Sequence, residues 1–308
     1  MIVTLTMNPA LDKSTSIERL IPEKKMRCAS LQTDAGGGGI NISKAIKEIG
    51  GESIAIFPSG GPNGGLLQQL LDDSRIRYKA VPVQAATRES FMVTEQNTNA
   101  QFRFIMPGQK LNEDEIERCI TEIYALDETP SFVAASGSLP EGVADDFFAR
   151  LSLLVKEKGS KLIIDTSGPA LIKAVEEGVF MVKPNLTELC TLVNKKYLDF
   201  SEIEDAAREV INKGKCEVMV VSIGPKGAML VTKDELIKVN APSVKKLSTS
   251  GAGDSMIAGI VYMLNQNESM LDAVRFGVAC GTAATMNSGT RLFEKEQALK
   301  LYEWIKKQ

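Results

Sequence analysis

Ser248-Thr249-Ser250-Gly251-Ala252-Gly253-Asp254-Ser255-Met256 runs without a break into the apolar segment Ile257 to Leu264. Small residues leading into a helix can present several backbone N–H groups together, reinforced by the helix dipole. Such a terminus suits a phosphate or a developing phosphoryl charge, and glycines let that group approach without a Cβ clash. Asp254 then stands where it can accept a hydroxyl proton beside the held phosphoryl group. The helix start is expected to keep this carboxylate ionised. That makes it a weak base, suited to a proton that leaves late in a loose transition state. The same stretch also reads, without chemistry, as a glycine turn capped by an aspartate.

N-terminal to this loop, short β-branched or apolar runs alternate with helical patterns. Ile2 to Thr6, Ser53 to Phe57, Ser131 to Ser136, Lys161 to Asp165, Phe180 to Val182 and Glu217 to Ser222 read as strands. Ile42, Ala45, Ile46 and Ile49 repeat at helical spacing after a glycine run and before Gly50-Gly51. Capping boxes are expected at Asn112 with Glu115 and at Ser201 with Glu204, the second helix burying Ile203, Ala207, Val210 and Ile211. The alternation implies an α/β fold with a mainly parallel sheet between helical layers. Three consecutive strands, Tyr78 to Val83, Ser90 to Glu95 and Gln101 to Met106, break this rhythm and predict a small antiparallel lid, with a turn at Thr98-Asn99. In the last of them, alternation places Phe102, Phe104 and Met106 on one face and Arg103 on the other. No repeat or linker divides the 308 residues, so one domain over 1–308 is expected.

Composition narrows the chemistry. Apolar residues are 44% and charged residues 24% of the chain, with a net charge of −3, which favours a globular protein and gives no basic excess for nucleic acid. There is no histidine, which removes Ser-His-Asp and Cys-His triads and most catalytic zinc sites. Five irregularly spaced cysteines read as reduced thiols. The opening MIVTLTMNPALDK has no secretory pattern and no segment has membrane length, so a cytoplasmic protein without membrane association is expected.

Neither G-x-x-x-x-G-K-[ST] nor a kinase H-R-D and D-F-G pair occurs. The chain instead resembles the ribokinase-like (PfkB) carbohydrate kinase family, through Gly36-Gly37-Gly38-Gly39-Ile40-Asn41-Ile42 and Ser250 to Met256. RFIMPG (103–108), SGSLPEG (136–142), KPNLTE (183–188) and NSGTR (287–291) resemble its phosphofructokinase branch, minor 6-phosphofructokinase-like and also similar to tagatose-6-phosphate kinase and 1-phosphofructokinase. The resemblance implies a three-layer α/β/α domain with a lid from segments about 12–35 and 78–108.

It implies Asp254 as base, with Gly251, Ala252 and Gly253 as the anion hole. Asn185 and Glu188 match the N-x-x-E motif that arranges magnesium and phosphate, partly through water, and also read as a capping box. Ser222, Gly224 and Gly227 resemble the nucleotide loop, and Ala284, Asn287 and Ser288 part of the adenine pocket. Ser248, Ser250, Asn287, Gly289 and Arg291 fall where the family has a potassium loop. Asp12, Gly37, Gly38 and Asn41 match sugar-binding positions, and Lys25, Arg88, Arg103 and Ser138 are candidates for the sugar's own phosphate.

Many 1-phosphofructokinase and tagatose-6-phosphate kinase sequences have Gly-Gly-Lys-Gly where this chain has Gly36 to Gly39, which favours fructose 6-phosphate. The expected reaction is ATP- and Mg²⁺-dependent transfer to its 1-hydroxyl. Tagatose-6-phosphate kinase and 1-phosphofructokinase are the alternatives, and a catalytically inactive sugar-binding or regulatory protein is the reading from another class. A dehydrogenase is disfavoured because Gly36 to Gly39 make no G-x-G-x-x-G fingerprint. The lid's free edge predicts a homodimer.

Overall fold

The computed structural model describes residues 1–108, 110–213 and 216–308. In chain order the strands are β1 (Ile2–Leu5), β2 (Ala10–Ile17), β3 (Gln32–Gly36), β4 (Ser53–Ser59), β5 (Arg77–Pro82), β6 (Arg88–Glu95), β7 (Gln101–Ile105), β8 (Phe132–Ser136), β9 (Lys161–Asp165), β10 (Met181–Val182), β11 (Val218–Ser222), β12 (Ala228–Thr232) and β13 (Leu236–Val239). The α-helices are α1 (Gly38–Glu48), α2 (Gly61–Asp73), α3 (Glu113–Tyr124), α4 (Phe147–Glu157), α5 (Gly168–Glu177), α6 (Leu186–Leu192), α7 (Ile203–Lys213), α8 (Ala252–Asn265), α9 (Met270–Thr285) and α10 (Lys295–Ile305).

Among the described residues, nine strands form one sheet in the order β13-β12-β11-β10-β9-β8-β1-β4-β5. Pairing is parallel from β5 to β11, and β12 and β13 close the far edge antiparallel. Successive strand side chains point to opposite faces, and the core divides accordingly. Val3, Leu5, Val133, Leu162 and Ile164 pack with residues of α3 to α7, whereas Ile2, Phe132, Ala134, Ile163 and Met181 pack with α1, α8, α9 and α10. The two apolar layers are what make this a three-layer α/β/α structure.

From β1 the chain builds outward to β4 and β5, then returns to the other side of β1 at β8. Such a reversal opens a crevice at the carboxyl ends of the two central strands. The Gly36–Gly39 run brings the start of α1 into that crevice. A Cβ on Gly38 would lie 2.1 Å from Ser136 Oγ, so glycine is needed there for helix and strand end to meet.

The second sheet has the order β3-β2-β6-β7. Its β2–β3 and β6–β7 pairings are antiparallel and its central β2–β6 pairing is parallel. Asn99 makes the β6–β7 turn with a positive φ of 57°. Tyr78 to Val83, expected in this lid, instead gives β5 at the edge of the large sheet, parallel to β4. Every residue of β4 is buried, and its outer backbone groups need a paired neighbour away from water. Leu11, Ala35, Ile40, Phe57, Leu67 and Leu71 join the lid's base to the large sheet through one apolar cluster.

The Asn112–Glu115 capping box is present in both directions. The expected Ser201–Glu204 box is displaced. Asp199 N–H donates to Glu202 Oε2 at 2.8 Å, starting a single turn that leads into α7, whose Ile203, Ala207, Val210 and Ile211 are buried. No helix among the described residues is long and apolar enough to cross a membrane.

Candidate active site

The central parallel strands deliver polar side chains to one edge. Ser136 ends β8, Asp165 ends β9, and Lys183 follows β10. Opposite them, Gly251 takes a left-handed φ of 69° as the N-cap of α8 and turns the small-residue loop into the helix. Asp254 sits in the first turn, where Asn41 Nδ2 donates to its Oδ2 at 2.9 Å and Ser136 Oγ donates to its Oδ1 at 3.1 Å.

Burial, reinforced by the Asp165 carboxylate, raises the Asp254 carboxyl to about 6, against the lowering effects of Asn41, Lys183 and Ser136. A carboxyl at that value is still ionised at neutral pH but is a stronger base than the helix start alone suggested, because desolvation raises it. Two fixed donors leave each carboxylate oxygen a further lone pair for a hydroxyl proton.

Under the same loop lies a side-chain pair that pattern reading did not single out. Lys183 Nζ lies 3.2 Å from Asp165 Oδ1, both side chains being largely enclosed. A Cβ on Gly253 would stand 3.2 Å from Lys183 Nζ, so the ammonium borders the small-residue loop. Burial alone would lower the Lys183 pKa, but Asp165, Glu188 and Asp254 raise it overall. A fixed positive charge thus lies amid three carboxylates beside the loop amides.

Asn185 caps α6, its Oδ1 accepting from Glu188 N–H at 3.0 Å while Glu188 Oε2 accepts from Asn185 N–H at 2.8 Å. Burial raises the Glu188 pKa, with Asp165 adding to it. Ser222 follows next door, its N–H donating to Pro184 O at 2.8 Å, so the N-x-x-E turn and the Ser222–Gly227 loop are neighbours. Gly224 and Gly227 both have positive φ. Ala284 is fully buried within α9, whereas Ser288 is exposed.

Across the crevice, a cleft of about 180 Å³ is lined by Asp12, Gly37, Arg88, Arg103 and Ser250, among others. It joins the lid to the small-residue loop. Burial raises the Asp12 carboxyl to about 6, opposed by Lys44, Arg88 and Arg103. Arg88 is anchored through its guanidinium to Asn8 O and Met106 O at 3.1 Å each. Burial lowers its pKa, against Asp12. Arg103 donates to Thr249 Oγ1 at 3.1 Å. Ser138 Oγ accepts from Asn8 Nδ2 at 3.1 Å. Lys25 lies exposed on the connection between β2 and β3, outside the residues lining this cleft.

The residues expected around potassium divide. Ser248 Oγ donates to Gly289 O at 3.0 Å and accepts from Ser250 N–H at 3.1 Å. Asn287 spends its amide on Leu292 O at 3.0 Å, and Arg291 turns outward to Glu294 at 2.8 Å.

Asp165, Lys183 and Ser136 are the site residues that sequence reading missed as such. Their signal was positional: a polar residue closing or following an apolar parallel strand falls on the edge where α/β proteins bind ligands.

A carboxylate held beside an amide-rich helix start can draw a proton from an alcohol when a phosphoryl donor rests against those amides. That is the design of phosphotransferases acting on alcohol groups, and its cationic second cleft fits an acceptor already bearing phosphate. The pfkB family carbohydrate kinase model matches residues 1–297, and the chain belongs to that family. It is a sugar-phosphate kinase, and membership implies ATP and a divalent metal ion.

An Escherichia coli relative, ATP-dependent 6-phosphofructokinase isozyme 2, is 40% identical over 305 residues, covering 99% of this chain and 98% of that protein. The structure of E. coli phosphofructokinase-2 in complex with fructose-6-phosphate is similar at a TM-score of 0.93 with 38% identity, covering 99% of both chains. Its complex with potassium gives 0.94 and 40%, with the same coverage.

Proposed function

We propose that the chain transfers the γ-phosphoryl group of ATP to the 1-hydroxyl of fructose 6-phosphate, giving fructose 1,6-bisphosphate and ADP. The observation that carries this reading is the placement of Asp254. It is held by Asn41 and Ser136 at the junction between a cleft lined by arginines and the amides of 251–253. The likeness to a 6-phosphofructokinase over nearly the whole chain supports the choice of acceptor.

Arg88 and Arg103 bind the acceptor's 6-phosphate as charge-assisted donors. Asp12 orients its hydroxyls. Asn41 and Ser136 hold the Asp254 carboxylate so that a free lone pair meets the 1-hydroxyl proton, and that proton passes to Asp254 as the acceptor oxygen bonds to the γ-phosphorus and the bond from that phosphorus to the ADP oxygen breaks. Amides of Gly251, Ala252 and Gly253, with the Lys183 ammonium behind them, stabilise charge on the moving group. Ser222, Gly224 and Gly227 cradle the nucleotide.

Asp165 and Glu188 fit a hard divalent cation: both are carboxylates, and Glu188 is raised by burial and by Asp165, a cost that a cation would relieve. Among the described residues, no three acidic, cysteine or histidine side chains cluster to enclose a metal. Held by these residues, a magnesium ion would neutralise phosphate charge. Gly289 O and Ser248 suit potassium, which the solved relative binds.

The lid's outer face exposes Phe102, Phe104 and Met106 along the edge strand β7 and its continuation. Covering this apolar edge with a second copy gives a homodimer.

An ADP-release assay with fructose 6-phosphate, tagatose 6-phosphate and fructose 1-phosphate tests the assignment. The expected result is the highest kcat/KM for fructose 6-phosphate. A higher value for either competitor transfers the assignment to that sugar, and no ADP release with any of them overturns the kinase reading.

A further inference from the structure

Besides the Arg103–Thr249 contact, the lid meets the phosphoryl-transfer loop and the loop after α9 through two further side-chain bridges. On β7, Gln101 Nε2 donates to Leu247 O at 3.4 Å and its Oε1 lies 3.4 Å from Ser248 Oγ. On β3, Asp34 Oδ2 accepts from Thr290 Oγ1 in the loop after α9. The two receiving segments are themselves joined, because Ser248 Oγ donates to Gly289 O at 3.0 Å. Ser248 is 2% exposed and also accepts from Ser250 N–H, one residue before Gly251. A closed circuit therefore runs from β7 through Leu247, Ser248 and Gly289 to Thr290 and back into β3. Its two entry points lie on opposite edges of the lid sheet.

A serine hydroxyl has one proton. The shorter contact gives that proton to Gly289 O, so Gln101 holds this segment by donating to Leu247 O, one residue before the Ser248 that accepts from the Ser250 amide. A side chain that moves with the lid thus bears directly on the turn that aims the amides of 251–253.

We infer that Gln101 and Thr290 are positioning residues that make lid placement over the acceptor and assembly of the amide loop a single event. Thr290 lines the acceptor cleft and Gln101 does not, and neither is a hydrogen-bond partner of Asp254. Both act through Ser248 and Gly289. The inference rests on the kinase reading above. Its consequence is thermodynamic: the bound acceptor must tighten nucleotide binding, and nucleotide must tighten acceptor binding by the same factor.

Isothermal titration calorimetry on the full chain measures the affinity of a non-hydrolysable ATP analogue with Mg²⁺, with and without saturating acceptor. The acceptor is whichever hexose phosphate the wild-type chain phosphorylates, so rejection of fructose 6-phosphate overturns the substrate assignment alone. Wild type is expected to show coupling of about 5- to 50-fold. Thr290→Val, which keeps shape but removes the hydroxyl, and Gln101→Leu are expected to reduce coupling to about 2-fold or less. Both should keep the wild-type analogue affinity measured without acceptor. Both should lower kcat more than they raise the acceptor KM, and Thr290→Ser should restore coupling and kcat together. Wild-type coupling retained in both Thr290→Val and Gln101→Leu overturns the inference, whatever their kcat. Absence of coupling in an active wild-type enzyme overturns it equally.

Discussion

At the carboxyl edge of the large sheet, Ser136, Asp165, Lys183 and Asp254 are tucked beneath the loop, and each has a named partner within 3.2 Å. In the lid, Arg88 and Arg103 reach mostly backbone and hydroxyl oxygens, and Phe104 and Ile105 stand 48% and 71% exposed. The first region is over-determined: its charges balance one another out of water, and removing one leaves the others uncompensated. The second holds its arginines on neutral oxygens, which leaves their charge available to an incoming anion. Phosphoryl transfer asks for both, since charge stabilisation depends on donors fixed beforehand, whereas the acceptor must enter and leave.

The contrast can be broken first at its centre. Asp254→Asn should lower kcat by roughly 10²- to 10⁴-fold or more, as measured by ADP release, because the base is gone while the fold remains. Near-normal turnover would remove Asp254 from the chemistry. The wild-type rate should fall as pH drops through about 6, where the raised Asp254 carboxyl takes up a proton. The sign for stability is opposite. A carboxyl with a raised folded-state pKa costs stability above that pKa, and the cost is absent below its ordinary value. Asp254→Asn should therefore unfold in urea at higher concentration than wild type at pH 8, by roughly 1–2 kcal/mol, with the gap closing near pH 4.

Lys183→Met should cost roughly 10²- to 10³-fold in kcat through lost charge at the loop. It should also lower the melting temperature, because Asp165 is left buried and unpaired. Adding Asp165→Asn should recover the melting temperature without recovering turnover. Recovery of both would reduce the pair to a structural role.

On the lid side, Arg103→Gln should raise the KM for the phosphorylated acceptor roughly 10- to 100-fold and affect kcat less, as loss of one charged hydrogen bond predicts. An unchanged KM would place the acceptor's phosphate elsewhere. Phe104→Glu should have the smallest effect on turnover, within roughly threefold, while shifting the chain toward monomer in size-exclusion chromatography at micromolar concentration. An unshifted elution volume would place the second copy on another surface.

Sequence pattern carried different parts of this picture unequally. Lys161 to Asp165 was read as a strand with the bounds that the structure shows, and the Asn112 and Asn185 helix starts form reciprocal caps. These depend on interactions three or four residues apart or on alternation along one strand. The strand from Tyr78 was misplaced because alternation reports a half-buried strand without saying which sheet it joins. The basicity of Asp254 was underestimated because a helix dipole is visible in sequence and desolvation is not.

By itself the sequence determined the layered α/β plan, the small-residue loop with Asp254 at its helix start, and the exclusion of histidine chemistry. All follow from periodicity, from glycine's steric freedom and from composition. Only the tertiary structure decided that Asn41 and Ser136 grip Asp254 across 213 and 118 residues, and that Lys183 meets Asp165 beneath Gly253. Strand order sets those meetings, and it is chosen by how whole apolar faces cover one another, a property of the assembled layers that no local stretch of chain encodes.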